Sequence, residues 1–183
     1  MDNNTDVPKM QSSECELGTL RPLTRVIPEA WPQERMWWLW QQIKTQDYAF
    51  DDLSENNPQV FLGQVFMPGT ELYEIGDDGL VMISGVTPHC TAFVHFVIWG
   101  EVSAQEIFDI QRKLFDHIFT AYSLNRLTAF IPSFNKQAIR MAALGGFKYE
   151  GEMRGSFLKH GKYHNVHFYG LLKDEFYKRG RVS

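Results

Sequence analysis

Between residues 103 and 122 apolar side chains return every three or four positions, at Ile107, Ile110, Leu114 and Ile118, with a flanking row of Phe108, Phe115, Phe119 and Tyr122. This period predicts an amphipathic helix whose broad apolar face packs on a sheet. Ser103 followed three residues later by Glu106 predicts its start as a capping box. Upstream the helical period is lost: Thr91–Trp99 is a β-rich run, apolar on both faces as a central strand requires. Residues 71–75 (ELYEI) and 80–86 (LVMISGV), joined by Asp77-Asp78-Gly79, predict a hairpin. Val60–Met67 (VFLGQVFM) is expected to be one more strand, ahead of a Pro68-Gly69 turn. Leu20–Ile27 predicts a first strand, after which Pro28 and Pro32 punctuate the entry to a helix reaching about Tyr48. That segment carries Trp31, Trp37, Trp38 and Trp40, which cover more than one helix face, so one or two rings are expected at the surface. Downstream come a strand from Arg126 to Ile131, a helix led by Asn135, a Gly146-Phe147 entry into another strand, and a final hairpin and strand. Helices on the faces of a mixed sheet follow, an α/β (α+β) sandwich.

Composition narrows the reading. With 183 residues, 44% of them hydrophobic, the chain suffices for one well-buried core and is short for two. Residues 1–18 are polar and free of aromatics and are expected to form a flexible arm, with a single domain over 19–183. The net charge of −4 gives no field that would hold a polyanion, and no basic stripe is found, so no nucleic-acid role is expected. The basic end, Lys173, Lys178, Arg179 and Arg181, is expected to be a solvated helix end or tail. Two cysteines, Cys15 and Cys90, imply no disulfide framework and fit a reducing, cytoplasmic setting. The first residues lack the basic and apolar regions of a signal peptide, and no apolar run is long enough for a membrane helix. His164 and His167 differ by an odd number on an expected strand, so with His160 they make no metal site, and none is expected.

The stretch RLTAFIPSFNKQAIRMAALGGFKYEGEMR, Arg126 to Arg154, reads as one unit of strand, Asn-led helix and Gly-Phe strand entry. Asn135, Ala138, Met141, Gly146-Phe147, Glu150-Gly151 and Arg154 resemble the C-terminal half of the GNAT superfamily of acyl-CoA N-acyltransferases. Gly161 to Glu175 is similar to the last strand of the branch that modifies protein N-termini and small amines. The resemblance implies a mixed, mostly antiparallel central sheet over residues 20–176, with helices on both faces. Within it, the strands at 91–99 and 126–131 run parallel and splay at their C-terminal ends, as a right-handed crossover through the intervening helix requires. It also implies acetyl-CoA as cofactor, an amine on a small molecule or protein as acceptor, and no bar to a homo-oligomer. A second resemblance, to degenerate GNAT-like proteins of tailed bacteriophages with head-assembly or virion roles, would make the chain non-catalytic, with phage assembly proteins as partners in the cytoplasm of a bacterium or infected cell.

The family cradles the cofactor's pyrophosphate in an Arg/Gln-Gly-x-Gly-x-Gly/Ala turn at a helix start, where backbone N–H groups face the anion. Family spacing puts that turn on residues 102–107, Val-Ser-Ala-Gln-Glu-Ile, with none of its glycines and with Glu106 opposing a phosphate. Cofactor binding is therefore expected to be weakened or lost. The positions the resemblance assigns to the cofactor are Asn135, the central-strand residues Val97 and Ile98, and Ser103 and Gln105 at the helix start. A base must take the proton of an amine with pKa ~10, and His95 on the central strand and Glu101 at its end are the candidates. The family's tyrosine acid, seven positions after the Asn, is Ala142 here; Tyr163 and Tyr169 on the final strands are substitutes, with Tyr169 taken as the catalytic candidate.

Overall fold

The computed structural model describes residues 22–179, so the expected arm over 1–18 lies outside the described residues. Seven strands form one sheet: β1 (Leu23–Val26), β2 (Glu71–Ile75), β3 (Gly79–Thr87), β4 (Thr91–Ile98), β5 (Arg126–Pro132), β6 (Lys148–Lys159) and β7 (Lys162–Leu172). Their order is β1-β2-β3-β4-β5-β7-β6, with every neighbouring pair antiparallel except β4 and β5. The expected parallel pair, with its crossover helix, is present.

Five α-helices and a single 3-10 turn (Pro28–Ala30) complete the described chain. On one face α1 (Gln33–Ile43) and α2 (Pro58–Val65) bury Leu39, Trp40, Ile43, Phe61 and Val65 against Leu72 and Leu80. On the other, α3 (Ala104–Ala121) lays the predicted stripe of Ile110, Leu114, Phe115, Ile118 and Phe119 over Ile75, Val81, Ile83 and Val94. Beside it stand α4 (Lys136–Gly145) and α5 (Lys173–Arg179). Trp40 packs on Phe50 and Phe61, whereas Trp37 is 57% exposed, in line with the surplus of rings along this helix.

Two expectations fail for local reasons. Val60–Val65 is helical and Phe66-Met67 a turn, not a strand: Asn57 caps α2 by accepting the Gln59 N–H at 3.1 Å, and Pro58 opens its first turn. Phe61 and Val65, four apart, then share the buried face, and this Asn-Pro start outweighs the β propensity of the Val-Phe pairs. The first helix ends at Ile43, well before Tyr48. There the Thr45 hydroxyl donates to the Gln42 carbonyl at 2.6 Å, a local bond that competes with continued helix.

The loop between α1 and α2 is tied to the far end of the sheet. Buried Lys159 donates to the Phe50 carbonyl at 3.3 Å and pairs with the Glu55 carboxylate. Asp52 accepts the N–H groups of His160 and Gly161 at 2.9 and 2.8 Å. The segment carrying Tyr48 and Phe50 is thereby held against the β6–β7 turn.

Gly146 closes α4 in the left-handed conformation, φ 96°, with its N–H and that of Phe147 satisfied by the carbonyls of Ala143 and Ala142. Gly146→Val is expected to cost about 2 kcal/mol through strain at positive φ. Asn135→Ala and Ala142→Gly should each cost about 1 kcal/mol. Thermal melts of the three variants test the order, and a Gly146→Val protein melting within a degree of wild type would contradict it.

Candidate functional site

β4 and β5 pair only from Thr91↔Arg126 to Phe93↔Thr128, although both strands continue, to Ile98 and Pro132. Beyond Phe93 they part. In an antiparallel pair alternate residues bond across the ladder. The Trp99 N–H reaches the Asp78 carbonyl at 2.9 Å, so Val97 and His95 turn their backbone groups toward β3, and those of Phe96 and Ile98 face the gap. The split sheet opens into a continuous cleft of about 710 Å³ that passes from the α3–α4 side to the α1–α2 side.

Among the described residues no Asp, Glu, Lys or Arg lines this cleft. The wall includes Val97, Ile98, His95 and Asn135 of the residues singled out from sequence. His95 lies on the α1–α2 side, half-buried, its Nε2 3.2 Å from the Ser84 hydroxyl. Desolvation lowers its pKa from the ordinary 6.5 to about 4, so its imidazole is neutral at physiological pH. The Asn135 Oδ1 accepts the Ala138 N–H at 3.0 Å, capping α4 and leaving the side-chain amide N–H groups for a ligand.

Glu101, Ser103, Gln105 and Tyr169 do not line the cleft. Glu101 is exposed, between Gly100 and Val102, which do line it. Gln105 donates to Asp109 at 3.2 Å. Tyr169 is buried in the core, edge-on to Tyr149 at 5.6 Å, and burial raises its pKa. The capping box is formed in full: Ser103 Oγ accepts the Glu106 N–H at 3.2 Å, and the Glu106 carboxylate accepts from Ser103 N and Oγ at 2.9 and 2.7 Å.

Sequence reasoning missed two wall residues. The Tyr48 hydroxyl sits at the end of β4, accepting the Ile98 N–H and donating to the Ile98 carbonyl, both at 3.1 Å. Burial raises its pKa, and it is the only tyrosine among the described residues of the wall. It is remote in sequence from every strand residue it serves, so no spacing could reveal it. Gln111, on the predicted apolar face of α3, is buried with its Oε1 unpartnered and lines the same cleft. A lone Gln within an apolar helical stripe was the available signal.

No family model and no curated protein matches the sequence. Solved structures do. A spermidine N-acetyltransferase from Vibrio cholerae, in complex with CoA and spermine, matches with a TM-score of 0.64 at 16% identity, over 85% of this chain and 98% of that one. The E33Q and E41Q mutant forms of the Vibrio cholerae spermidine/spermine N-acetyltransferase SpeG match at 0.67 and 14%, over 88% and 98%. A probable acetyltransferase matches at 0.64 and 18%, over 88% and 98%. The chain has the GNAT fold. Identities this low establish architecture, and function resides in the residues of the cleft.

The cofactor implied by the GNAT fold can be tested against the cleft. The orphaned Gln111 Oε1, the Asn135 amide and the backbone groups of Phe96 match an amide-bearing, uncharged arm such as pantetheine. At the start of α3 the fit is poorer, because the Glu106 carboxylate occupies the N-terminal end where a diphosphate would lie. Arg140 of α4 and Ala104 of α3 line a second, smaller cleft there, of about 220 Å³, which supplies one cationic group.

The lowered pKa of His95 makes a signed prediction. Between about pH 6.5 and 4 the unfolded chain takes up the His95 proton and the folded chain does not, so folding stability falls as pH drops through that window. His95→Gln should remove part of this fall. Urea midpoints of wild type and variant at neutral pH and near pH 5 measure it, and parallel losses in both proteins would contradict the assignment.

Proposed function

We propose that this chain is an acyl-CoA-dependent N-acyltransferase acting on an amine. One observation carries the reading: the cleft runs through the split between β4 and β5 and reaches both faces of the sheet, so two reactants can meet from opposite sides. The cofactor, when bound, supplies an activated acyl thioester. Asn135, Gln111 and the backbone of Phe96 would hold its uncharged arm on the α3–α4 side. At the junction the Tyr48 hydroxyl, kept protonated by burial, would exchange its bond to the Ile98 carbonyl for one to a carbonyl oxygen that gains charge, and so act as proton donor. His95 faces the α1–α2 side as a neutral imidazole able to accept or relay a proton, with Glu101 a second base near the mouth acting through water. Ser103 and Gln105 would contribute only from the helix start, and Tyr169 is assigned a packing role.

A second reading is favoured by Glu106. A helix start that satisfies itself with its own carboxylate suits a GNAT-like protein that has given up its cofactor, such as a head-assembly or virion protein of a bacteriophage.

Calorimetric titration with acetyl-CoA separates the two. Wild type should bind more weakly than an ordinary member of the fold. Glu106→Gln, which keeps a side chain able to cap and removes its charge, should tighten binding roughly fivefold, the size of one unit-charge repulsion near water. Binding by neither protein would leave the assembly role standing, and tight wild-type binding unchanged by the substitution would show that Glu106 does not oppose the cofactor.

A further inference from the structure

We propose that the α1–α2 side of the cleft binds an uncharged amine carried on an apolar body, of which an arylamine is the simplest, and discriminates against polycationic amines. This deepens the acyltransferase reading and rests on it for the amine's role as acceptor, though not for its binding. The wall on this side is built from Ile43, Phe50, Phe61, Leu80, Met82 and Val97. Its polar members are neutral: Gln46, Gln64, the Tyr48 hydroxyl that is bonded to Ile98, and Ser84 bonded to His95. A polyamine has to bury or anchor ammonium groups remote from the one that reacts. With no carboxylate among the described wall residues, their desolvation is uncompensated.

The same reasoning applies to the reacting nitrogen. An alkylammonium of pKa ~10 has to shed its proton before it attacks. His95, held neutral by its surroundings, is a poor sink for the proton of so strong a base. An arylamine arrives uncharged, and its ring matches the aromatic and thioether lining. In the transfer the amine nitrogen forms the new amide bond, the thioester C–S bond breaks, one amine proton passes to water or His95, and the thiol leaves protonated. No further co-reactant is required.

The test is calorimetric titration of the full chain, without acyl-CoA, at neutral pH with para-butylaniline and with spermidine. The arylamine should bind at least about tenfold more tightly. Equal or tighter spermidine binding, or no arylamine binding, overturns the proposal. Met82→Glu places a carboxylate in the wall and should cut this preference severalfold. Gln64→Glu, isosteric and at an exposed position, does so with little risk to folding, and a preference unmoved in it would overturn the placement of the ligand. Transfer assays with acetyl-CoA keep the two claims apart. Arylamine that binds while neither amine is acetylated defeats the acyltransferase reading and leaves this proposal standing, whereas acetylation of spermidine by a protein that does not bind the arylamine does the reverse.

Discussion

β4 and β5 are each bound more extensively to an antiparallel partner than to one another. β4 follows β3 over almost its whole length, and β5 follows β7 from Arg126↔Leu172 to Pro132↔Val166. Antiparallel pairing is somewhat the stronger per residue, so once the crossover through α3 has set the two strands side by side, each leaves with its own partner after three residues. Phe93 and Phe130, stacked at 5.4 Å, fill the angle where they part. The cleft, the backbone groups turned into it and the two-sided access all derive from that divergence.

A split sheet needs walls that stay in place. On the α3–α4 side they are helices seated on the main core. On the other side the wall includes irregular chain between α1 and α2, and it is fixed from a distance by Lys159 and Asp52 to the β6–β7 hairpin. Lys159 is only 3% exposed, so its pairing with Glu55 matters more than a surface ion pair would: removing Glu55 leaves a buried ammonium with one carbonyl. Tyr48 is positioned by this loop, which joins the stability of the hairpin end to the geometry of the site.

Most of the framework was legible in the sequence because its signals were local. The period of α3, the Ser103–Glu106 box, the Asp77-Asp78-Gly79 hairpin and the Asn135-to-Gly146 helix each depend on residues a few positions apart, and each is found as expected. The mistaken strand at Val60–Met67 shows the limit of composition, since a capping Asn and a following Pro decided the outcome against apolar β formers. The site was less legible. His95, Val97, Ile98 and Asn135 could be placed on the cleft through strand alternation and the resemblance, but Tyr48 reaches Ile98 across fifty positions of chain. Gln111 reads as an interruption of an apolar stripe, and only the fold reveals that the stripe ends at a cavity.

Glu106 carries a consequence for how the molecule behaves without any ligand. A helix start has a fixed number of N–H groups, and those that it bonds internally are not offered outward. Where a glycine-rich turn would leave the first turn of α3 waiting for an anion, Ser103 and Glu106 bond two of its N–H groups from within the chain. The central helix is then capped in the empty protein, and because the same carboxylate weakens cofactor binding, thermal stability gains little of the ligand-linked stabilisation that a tightly binding site confers.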